Sequence, residues 1–334
     1  MKDIYITGLY RSATTFCEKK LDSLSNVSIM HQPLFAIFKI IEKKINISLN
    51  KEYKSNFPIG TINYDLNNNL VKKFNFNKDD INFLISEATR YQVLEGSNHK
   101  NNLPSKKFIE ILKKNLKPDT LINVHNKLIE SIAEYREVNL KNNYVGYKEI
   151  FCHPYMNFIS TSNSIIICMI RDPREIYFSR NYTNDKSLFG TLNRHPVIMI
   201  AKIWNSFADF CLSNKNNFKK YLITYENLNN IDGIIKDLIN SDTVVRDKFY
   251  TEKGDEWNIN TSGTGKPGYG KLWKSEMDIN HIAIIEKICG KNMEKFNYSL
   301  SLENKEINLL SSKFIEDFST VQDYCKHDEF LKLA

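Results

Sequence analysis

Residues 4–24 read IYITGLYRSATTFCEKKLDSL, and this stretch decides the fold. Its first four residues are β-branched or aromatic, which is typical of a strand. The loop that follows opens with Gly8, continues with small and hydroxyl side chains, and leads into a helical pattern over about residues 14–24, with Phe16 and Leu21 on its apolar side. A second short strand at residues 27–30 completes a strand–helix–strand unit. Such a unit predicts two parallel strands joined by a right-handed crossover.

The same alternation of strands and helices returns after residue 143. The run of residues 164–170 is strongly apolar, as in a central strand of a parallel sheet that is covered on both faces. Between the two α/β parts, residues 36–143 show helical periodicity and predict a helical insertion, and residues 301–334 predict a helical C-terminal tail. The sequence therefore predicts a single α/β domain over residues 1–334, with three layers and a central, mostly parallel sheet. We predict strands at residues 144–150, 164–170 and 221–225, and helices at about 174–181, 197–212, 231–239 and 279–289.

Composition narrows the class of protein. The 334 residues are 42% hydrophobic and 25% charged, which is ordinary for a globular chain. The mean hydropathy is −0.42 and no apolar run approaches the length of a membrane span, so we expect no stable membrane insertion. The N-terminus does not resemble a secretion signal, and six widely spaced cysteines suggest free thiols, so we expect a cytoplasmic protein. The net charge of +7 suits a protein that handles anions.

The loop after the first strand carries the first chemical signal. Small residues let the backbone wrap closely around an anion, and the N–H groups and dipole at a helix start favour negative charge. An arginine in the loop adds a fork that matches phosphate or sulfate oxygens. The Gly-Lys-Ser/Thr ending of a Walker A loop is absent, which disfavours a standard ATPase. The predicted anion-binding residues are Arg11, Ser12, Ala13, Thr14 and Thr15.

Three further segments follow predicted strands or precede the last helix. Arg171 comes directly after the apolar strand, and Ser179 lies eight residues further on, so both are predicted to grip one phosphate at the carboxyl edge of the sheet. Tyr225 begins a Tyr-Glu-Asn-Leu segment at the end of the next strand. A flexible basic loop then predicts a lid that excludes water. Its predicted binding residues are Lys266, Gly268, Trp273 and Lys274.

In this order, the segments resemble the sulfotransferases that use 3′-phosphoadenosine-5′-phosphosulfate. The Arg-Ser-Ala-Thr-Thr sequence of residues 11–15 is similar to the family's 5′-phosphosulfate loop, with Ala13 in place of glycine. Arg171 and Ser179 match the spacing of its 3′-phosphate motif, and Lys271 stands where many members have glycine. The resemblance covers roughly residues 3–35 and 144–300, and not the helical insertion.

The resemblance implies a P-loop-type fold and sulfuryl transfer to an acceptor hydroxyl, with no metal. Arg11 and Lys148 would stabilise the transferred group, since the family has a lysine at a similar place. The general base is left open between Glu149, His31 and His153. The acceptor is expected to be a carbohydrate or glycoconjugate, as in bacterial carbohydrate sulfotransferases, although a small alcohol, a phenol or a lipid stays open.

Two other classes of protein remain as alternatives. A P-loop kinase or nucleotide-binding protein shares the strand–loop–helix start but requires a loop lysine and a Walker-B acid, and neither is evident. A basic nucleic-acid-binding protein is compatible with the net charge, but basic and acidic residues alternate without repeated aromatic positions, so we expect no nucleic-acid partner. The oligomeric state is not predicted.

Overall fold

The computed structural model describes residues 2–33, 35–48, 68–88, 106–182, 195–214, 217–239, 242–246 and 272–314. The strands are β1 (Lys2–Gly8), β2 (Val27–His31), β3 (Tyr144–Lys148), β4 (Ile165–Ile170) and β5 (Lys219–Thr224). The helices are α1 (Thr14–Asp22), α2 (Phe35–Ser48), α3 (Asn68–Lys72), α4 (Lys78–Ala88), α5 (Lys106–Asn115), α6 (Leu121–Arg136), α7 (Met156–Ile159), α8 (Pro173–Asn181), α9 (Val197–Leu212), α10 (Ile231–Leu238), α11 (Trp273–Glu276), α12 (Ile279–Lys295) and α13 (Asn304–Ser312).

The five strands form one sheet in the order β2-β3-β1-β4-β5, and every pairing between them is parallel. Strand β4, with the sequence IIICMI, is buried along its whole length, as its apolar run predicts. The prediction of an α/β fold around a parallel sheet is confirmed. Because all strands run the same way, their carboxyl ends lie along a single edge.

Helices cover both faces of the sheet, which gives three layers. On one face, α1 and α10 pack against a core that includes Ile4, Ile29 and Ile167. On the other face, a larger core joins alternate residues of the strands, such as Tyr5 and Tyr147, to α6, α9 and α12. Neighbouring residues in a strand point to opposite faces, so the sheet contributes side chains to both cores.

Between β2 and β3, the described residues form helices α2 to α6, in the stretch for which an insertion is predicted. Helix α13 lies in the predicted tail, and the rest of that tail, from residue 315, is outside the described residues. Among the described helices, none is both long and apolar enough to cross a lipid bilayer.

Several predicted boundaries are wrong. Strand β5 is Lys219–Thr224 rather than 221–225, and helix α12 continues to Lys295, beyond the predicted end at residue 289. Strand β3 ends at Lys148 rather than at residue 150, because the chain turns across the end of β1: the N–H of Phe151 donates to the carbonyl of Gly8, and Phe151 has a left-handed φ of 63°. Helix α1 ends at Asp22 rather than at residue 24. The N–H of Ser23 bonds to the carbonyl of Lys19, and the following turn ends the helix.

Candidate anion-binding site

The chain order creates a crevice beside β1. From β1 the chain passes to β2 on one side of the sheet, whereas from β4 it passes to β5 on the other side. Connections that leave two adjacent parallel strands in opposite directions open a crevice at the carboxyl ends of those strands, where α/β proteins bind ligands. Gly8 and Met169 are paired at this end of β1 and β4, and a Cβ on Gly8 would lie 2.5 Å from the Met169 carbonyl oxygen. Glycine is therefore required where the loop leaves the sheet.

The loop between β1 and α1 exposes a row of amide donors. Arg11 and Ala13 have φ angles of 63° and 61°, so left-handed residues alternate with ordinary ones along the loop. Backbones of this kind turn successive N–H groups inward, as in anion-binding nests. Helix α1 has no side-chain cap, and within the described residues the amides of residues 13–16 find no hydrogen-bond acceptor. The positive end of the helix dipole adds to the attraction for an anion.

Ser12 lies inside this loop and is fully buried. Its hydroxyl has no hydrogen-bond partner in the described part of the chain. A buried hydroxyl without a partner costs free energy, on the order of 1–3 kcal/mol. The loop therefore carries both unpaired amides and an unpaired hydroxyl, which together suit an oxyanion.

Arg171, at the end of β4, holds the loop from the other side of the crevice. Its Nη1 donates to the Arg11 carbonyl at 2.8 Å, and its Nε donates to Glu175 at 2.8 Å. Its guanidinium lies over the Tyr225 ring, 4.0 Å from the ring centre. The structure thus brings Arg11, Arg171 and Tyr225 together, as predicted from their strand ends. We call Arg171, Glu175 and Tyr225 the arginine cluster.

Glu175 was not predicted to take part. Burial raises the pKa of the Glu175 carboxyl, and the nearby Arg171 opposes that effect. The ion pair leaves Nη2 of Arg171 without a hydrogen bond in the described structure. Arg171 therefore keeps donor capacity toward the crevice while it fixes the loop. Ser179 lies two turns further along α8 and is half-buried.

The second arginine of the Arg-Asp-Pro-Arg segment has a structural role. Arg174 is buried, pairs with Asp172 at 2.6 Å and with Glu286 of α12 at 2.6 Å, and lies over the Trp273 ring. Trp273, predicted to bind a nucleotide, is itself buried against Arg174, whereas Lys274 is exposed. The predicted lid residues Lys266 and Gly268, with Lys271, lie outside the described residues.

A buried group of charges lies at the ends of β2 and β3, on the opposite side of the loop. Its members come from α1 and from the two strand ends: Glu18, Lys19, His31 and Lys148, all nearly inaccessible to solvent. His31 Nδ1 lies 2.7 Å from Glu18 Oε2, and Lys19 Nζ lies 3.0 Å from Glu18 Oε1. His31 and Lys148 are register partners in the sheet. We call these four residues the buried ionic cluster.

The protonation states in the cluster follow from burial and neighbouring charge. Burial, aided by Lys148 and Lys19, lowers the pKa of His31 to about 4 despite the opposing Glu18, so the ring is neutral at physiological pH. Burial opposes ionisation of Glu18, but His31, Lys19 and Lys148 outweigh it and hold the pKa of its carboxyl below the usual range. Burial also lowers the pKa of Lys148, against the attraction of Glu18 and Glu149.

The other two candidate bases have different surroundings. Glu149 is fully buried and lies 3.5 Å from Nε2 of Gln32. His153 lies 3.4 Å from the Ser206 hydroxyl and packs against Phe207. Burial lowers the pKa of His153 to about 3, so it is a neutral side chain packed against α9. His31 differs in having the Glu18 carboxylate at hydrogen-bond distance.

Backbone strain collects at the same edge. Left-handed φ angles occur at Arg11 and Ala13 in the loop, at Gln32 after β2 and at Phe151 after β3. In the described residues only two other non-glycine residues, Glu137 and Asn297, share this conformation. Strained backbone concentrates where a site must be held in one geometry.

Sequence reasoning missed Glu18, which follows the loop by one helical turn. The predicted apolar side of α1 included Phe16, yet Phe16 is half-exposed, whereas Glu18 and Lys19 are buried. The available signal was the spacing of Thr14, Glu18 and Leu21, which lie on one helix face.

No protein-family model matches the chain, and no characterised protein matches it in sequence. In the described part of the chain, no group of three or more His, Cys, Asp or Glu residues is arranged to hold a metal ion. The geometry at the carboxyl edge of the sheet is therefore the basis on which a function can be inferred.

Proposed function

We propose that the protein is a sulfotransferase that moves the sulfuryl group of 3′-phosphoadenosine-5′-phosphosulfate to an acceptor hydroxyl. The observation that carries the proposal is the loop between β1 and α1, whose amides of residues 13–16 and buried Ser12 hydroxyl lack partners in the described residues. These donors fit the oxygens of a phosphosulfate, because such a group offers several acceptors and negative charge at a helix start.

The arginine cluster supports a site for the remainder of the nucleotide. Arg171 bridges the loop and the end of β4, and its Nη2 has no hydrogen bond to any described residue, so it can donate to a phosphate oxygen. Tyr225 backs the guanidinium. The fit is closer at the loop than at Arg171, since Glu175 already occupies the Nε edge of that guanidinium.

In the transfer step, the acceptor oxygen forms a bond to sulfur and the bond between sulfur and the phosphate oxygen breaks. The electron pair of the broken bond stays on the phosphate, and the acceptor's proton passes to a base, in close analogy to phosphoryl transfer. Loop amides and Arg11 stabilise the charge that grows on the leaving oxygen. Lys148, at the end of β3, supplies a further cation near the loop.

The acceptor is proposed to be a carbohydrate or glycoconjugate hydroxyl, and a cytoplasmic location is part of the same proposal. The acceptor follows from the resemblance of the loop segments to carbohydrate sulfotransferases. The helical region between β2 and β3 packs against both strands through α6, and we propose it as the source of acceptor contacts.

Thermal unfolding with 3′-phosphoadenosine-5′-phosphate tests the donor site. At about one hundred times Kd, a ligand bound only by the folded state adds roughly 2.7 kcal/mol to the free energy of unfolding. We expect stabilisation without metal, and less from adenosine 2′,5′-bisphosphate, which has equal charge but a displaced phosphate.

The alternatives predict other outcomes. Stabilisation only by ATP with Mg²⁺ would favour a kinase, and salt-sensitive binding of a generic oligonucleotide would favour a nucleic-acid-binding protein. If none of these ligands stabilises the protein, the assigned site residues do not form a nucleotide-binding site.

A further inference from the structure

The buried ionic cluster places a carboxylate against the imidazole of His31. We infer that Glu18 is a positioning residue that accepts a hydrogen bond from Nδ1–H of His31, so that Nε2 of His31 receives the proton of the acceptor hydroxyl. The inference rests on the proposed function for the transfer step, and the Glu18–His31 pairing itself does not depend on it.

The geometry supports this pairing. The distance of 2.7 Å between Nδ1 of His31 and Oε2 of Glu18 is that of a charge-assisted hydrogen bond. Glu18 is fully buried and His31 is 5% exposed, so water competes little for either group. A carboxylate can only accept, so a neutral ring must carry its proton on Nδ1. The lone pair of the ring is then on Nε2.

The surrounding charges favour the neutral ring. Lys19 Nζ lies 3.0 Å from the other oxygen of Glu18, and its charge reduces the pull of the carboxylate on the His31 proton. Lys148 faces the cluster from β3, and Glu149 follows it, near Gln32. Two lysines and the Glu18 carboxylate therefore act on one imidazole, and burial lowers its pKa to about 4.

The position in the fold connects the pair to the loop. Glu18 is four residues beyond Thr14 on α1, or about 6 Å along the helix from the first residue after the loop. His31 ends β2 beside Lys148, and Lys148 is itself the register partner of Ile6 in β1. The proposed proton acceptor, the proposed cation and the loop thus belong to three neighbouring strands. Burying this many charges is costly, which is consistent with a role other than stability.

Nitrogen-15 NMR of the histidine side chains tests the pairing in the full-length protein. We expect His31, assigned by loss of its signals in His31→Asn, to be protonated at Nδ1 and unprotonated at Nε2 at pH 7. In Glu18→Gln the fixed tautomer should be lost, because an amide can also donate. His125, which is buried at Tyr147 on the other core, serves as an internal control and should not change. A wild-type His31 protonated at Nε2 would overturn the inference.

Kinetics test the role of the pair. The assay follows the labelled sulfuryl group of the phosphosulfate donor. It measures transfer of that group to methyl β-galactoside and its hydrolysis to free sulfate. We expect Glu18→Gln to lower kcat by about 10²–10⁴-fold, as loss of general-base orientation does elsewhere, with donor KM unchanged. Glu18→Asp should recover part of the rate, and Glu134→Gln on the surface of α6 should have no effect.

The two possible failures can be told apart. A wild-type protein that does not bind 3′-phosphoadenosine-5′-phosphate and transfers no sulfate contradicts the proposed function, while the NMR result still decides the pairing. The other failure would leave the wild-type protein active. If Glu18→Gln then has the same kcat and the same His31 tautomer as the wild type, the inference alone is contradicted.

Discussion

The two sides of the loop after β1 use charge differently. At the ends of β4 and β5, Arg171 pairs with Glu175, lies against Tyr225 and donates to the loop backbone, and its Nη2 has no partner in the described part of the chain. At the ends of β2 and β3, the charges of the buried ionic cluster are enclosed, and the Glu18 carboxylate pairs with His31 and with Lys19. The first arrangement suits binding of an anion from solution. The second suits control of a proton.

This difference predicts that substitutions on the two sides separate binding from turnover. A group that acts only as charge develops lowers kcat and leaves ground-state binding intact, whereas a group that holds the nucleotide changes Kd. The following predictions test that separation.

Of the substitutions that compare the two sides, Lys148→Met should have the largest effect, and it should change turnover alone. Methionine keeps much of the volume of the lysine stem and removes the cation that is proposed to stabilise the transferred group. Loss of one such group lowers kcat by about 10²–10³-fold. Sulfate release and the Kd for 3′-phosphoadenosine-5′-phosphate are the two measurements. A weakened Kd with normal kcat would reverse the assignment of the two sides.

Arg171→Ala should weaken binding of the bisphosphate by about 100-fold, because a hydrogen bond to a charged group contributes roughly 1.5–3 kcal/mol. Isothermal titration measures the affinity. Arg136→Ala is the matched control, since Arg136 on α6 is a partly buried arginine that contacts Asp22 and the Ile29 carbonyl, away from the crevice. Unchanged affinity in a folded Arg171→Ala protein would remove Arg171 from the binding site.

Titratable groups on the two sides of the loop should change the free energy of unfolding in opposite directions as the pH falls. The pKa of His31 is about 4 in the folded protein, whereas unfolded histidine titrates near about 6.5, so the unfolded chain takes up the proton first. The free energy of unfolding therefore falls as the pH is lowered from about 6.5 to 4, by up to about 1.4 kcal/mol per pH unit for this group. Glu175 acts in the opposite sense, because its raised pKa contributes stability at low pH that is lost as the pH rises through that value.

Urea unfolding at several pH values checks this slope. In His31→Asn the dependence on pH between 6.5 and 4 should be shallower than in the wild type by the contribution of one histidine. The other buried histidines, such as His125, remain in the variant and supply the same background in both proteins. Equal slopes would show that His31 is not held neutral by the fold.

The sequence was more informative about one side than about the other. The apolar run of β4 and the small residues after Gly8 predicted the central strands and the loop, because both signals are local. Arg171 and Tyr225 could be placed because each directly follows a strand. The buried ionic cluster could not be predicted, since a charged residue in a helix is ordinarily exposed, and the partners that bury Glu18 lie up to 130 residues away in the chain. Glu175 was missed although it is four residues from Arg171, a spacing that pairs side chains on a helix.

Ala13 lies in the loop between the two sides. Of the substitutions proposed, Ala13→Gly should have the smallest effect, and the sign of its change in the free energy of unfolding is the informative result. Its φ of 61° is left-handed, a conformation that costs an L-residue roughly 1–2 kcal/mol and glycine almost nothing. Glycine also gives the unfolded chain more freedom, which offsets about 0.4–1 kcal/mol of that gain. Ala13→Gly should therefore raise the free energy of unfolding by about 0.5 kcal/mol and leave both Kd and kcat unchanged.

Ala133→Gly is the matched control: this alanine is equally buried but lies within helix α6, where glycine costs about 1 kcal/mol. Opposite signs for the two substitutions in urea unfolding would show that the loop keeps its left-handed turn in solution, and equal destabilisation would show that it does not.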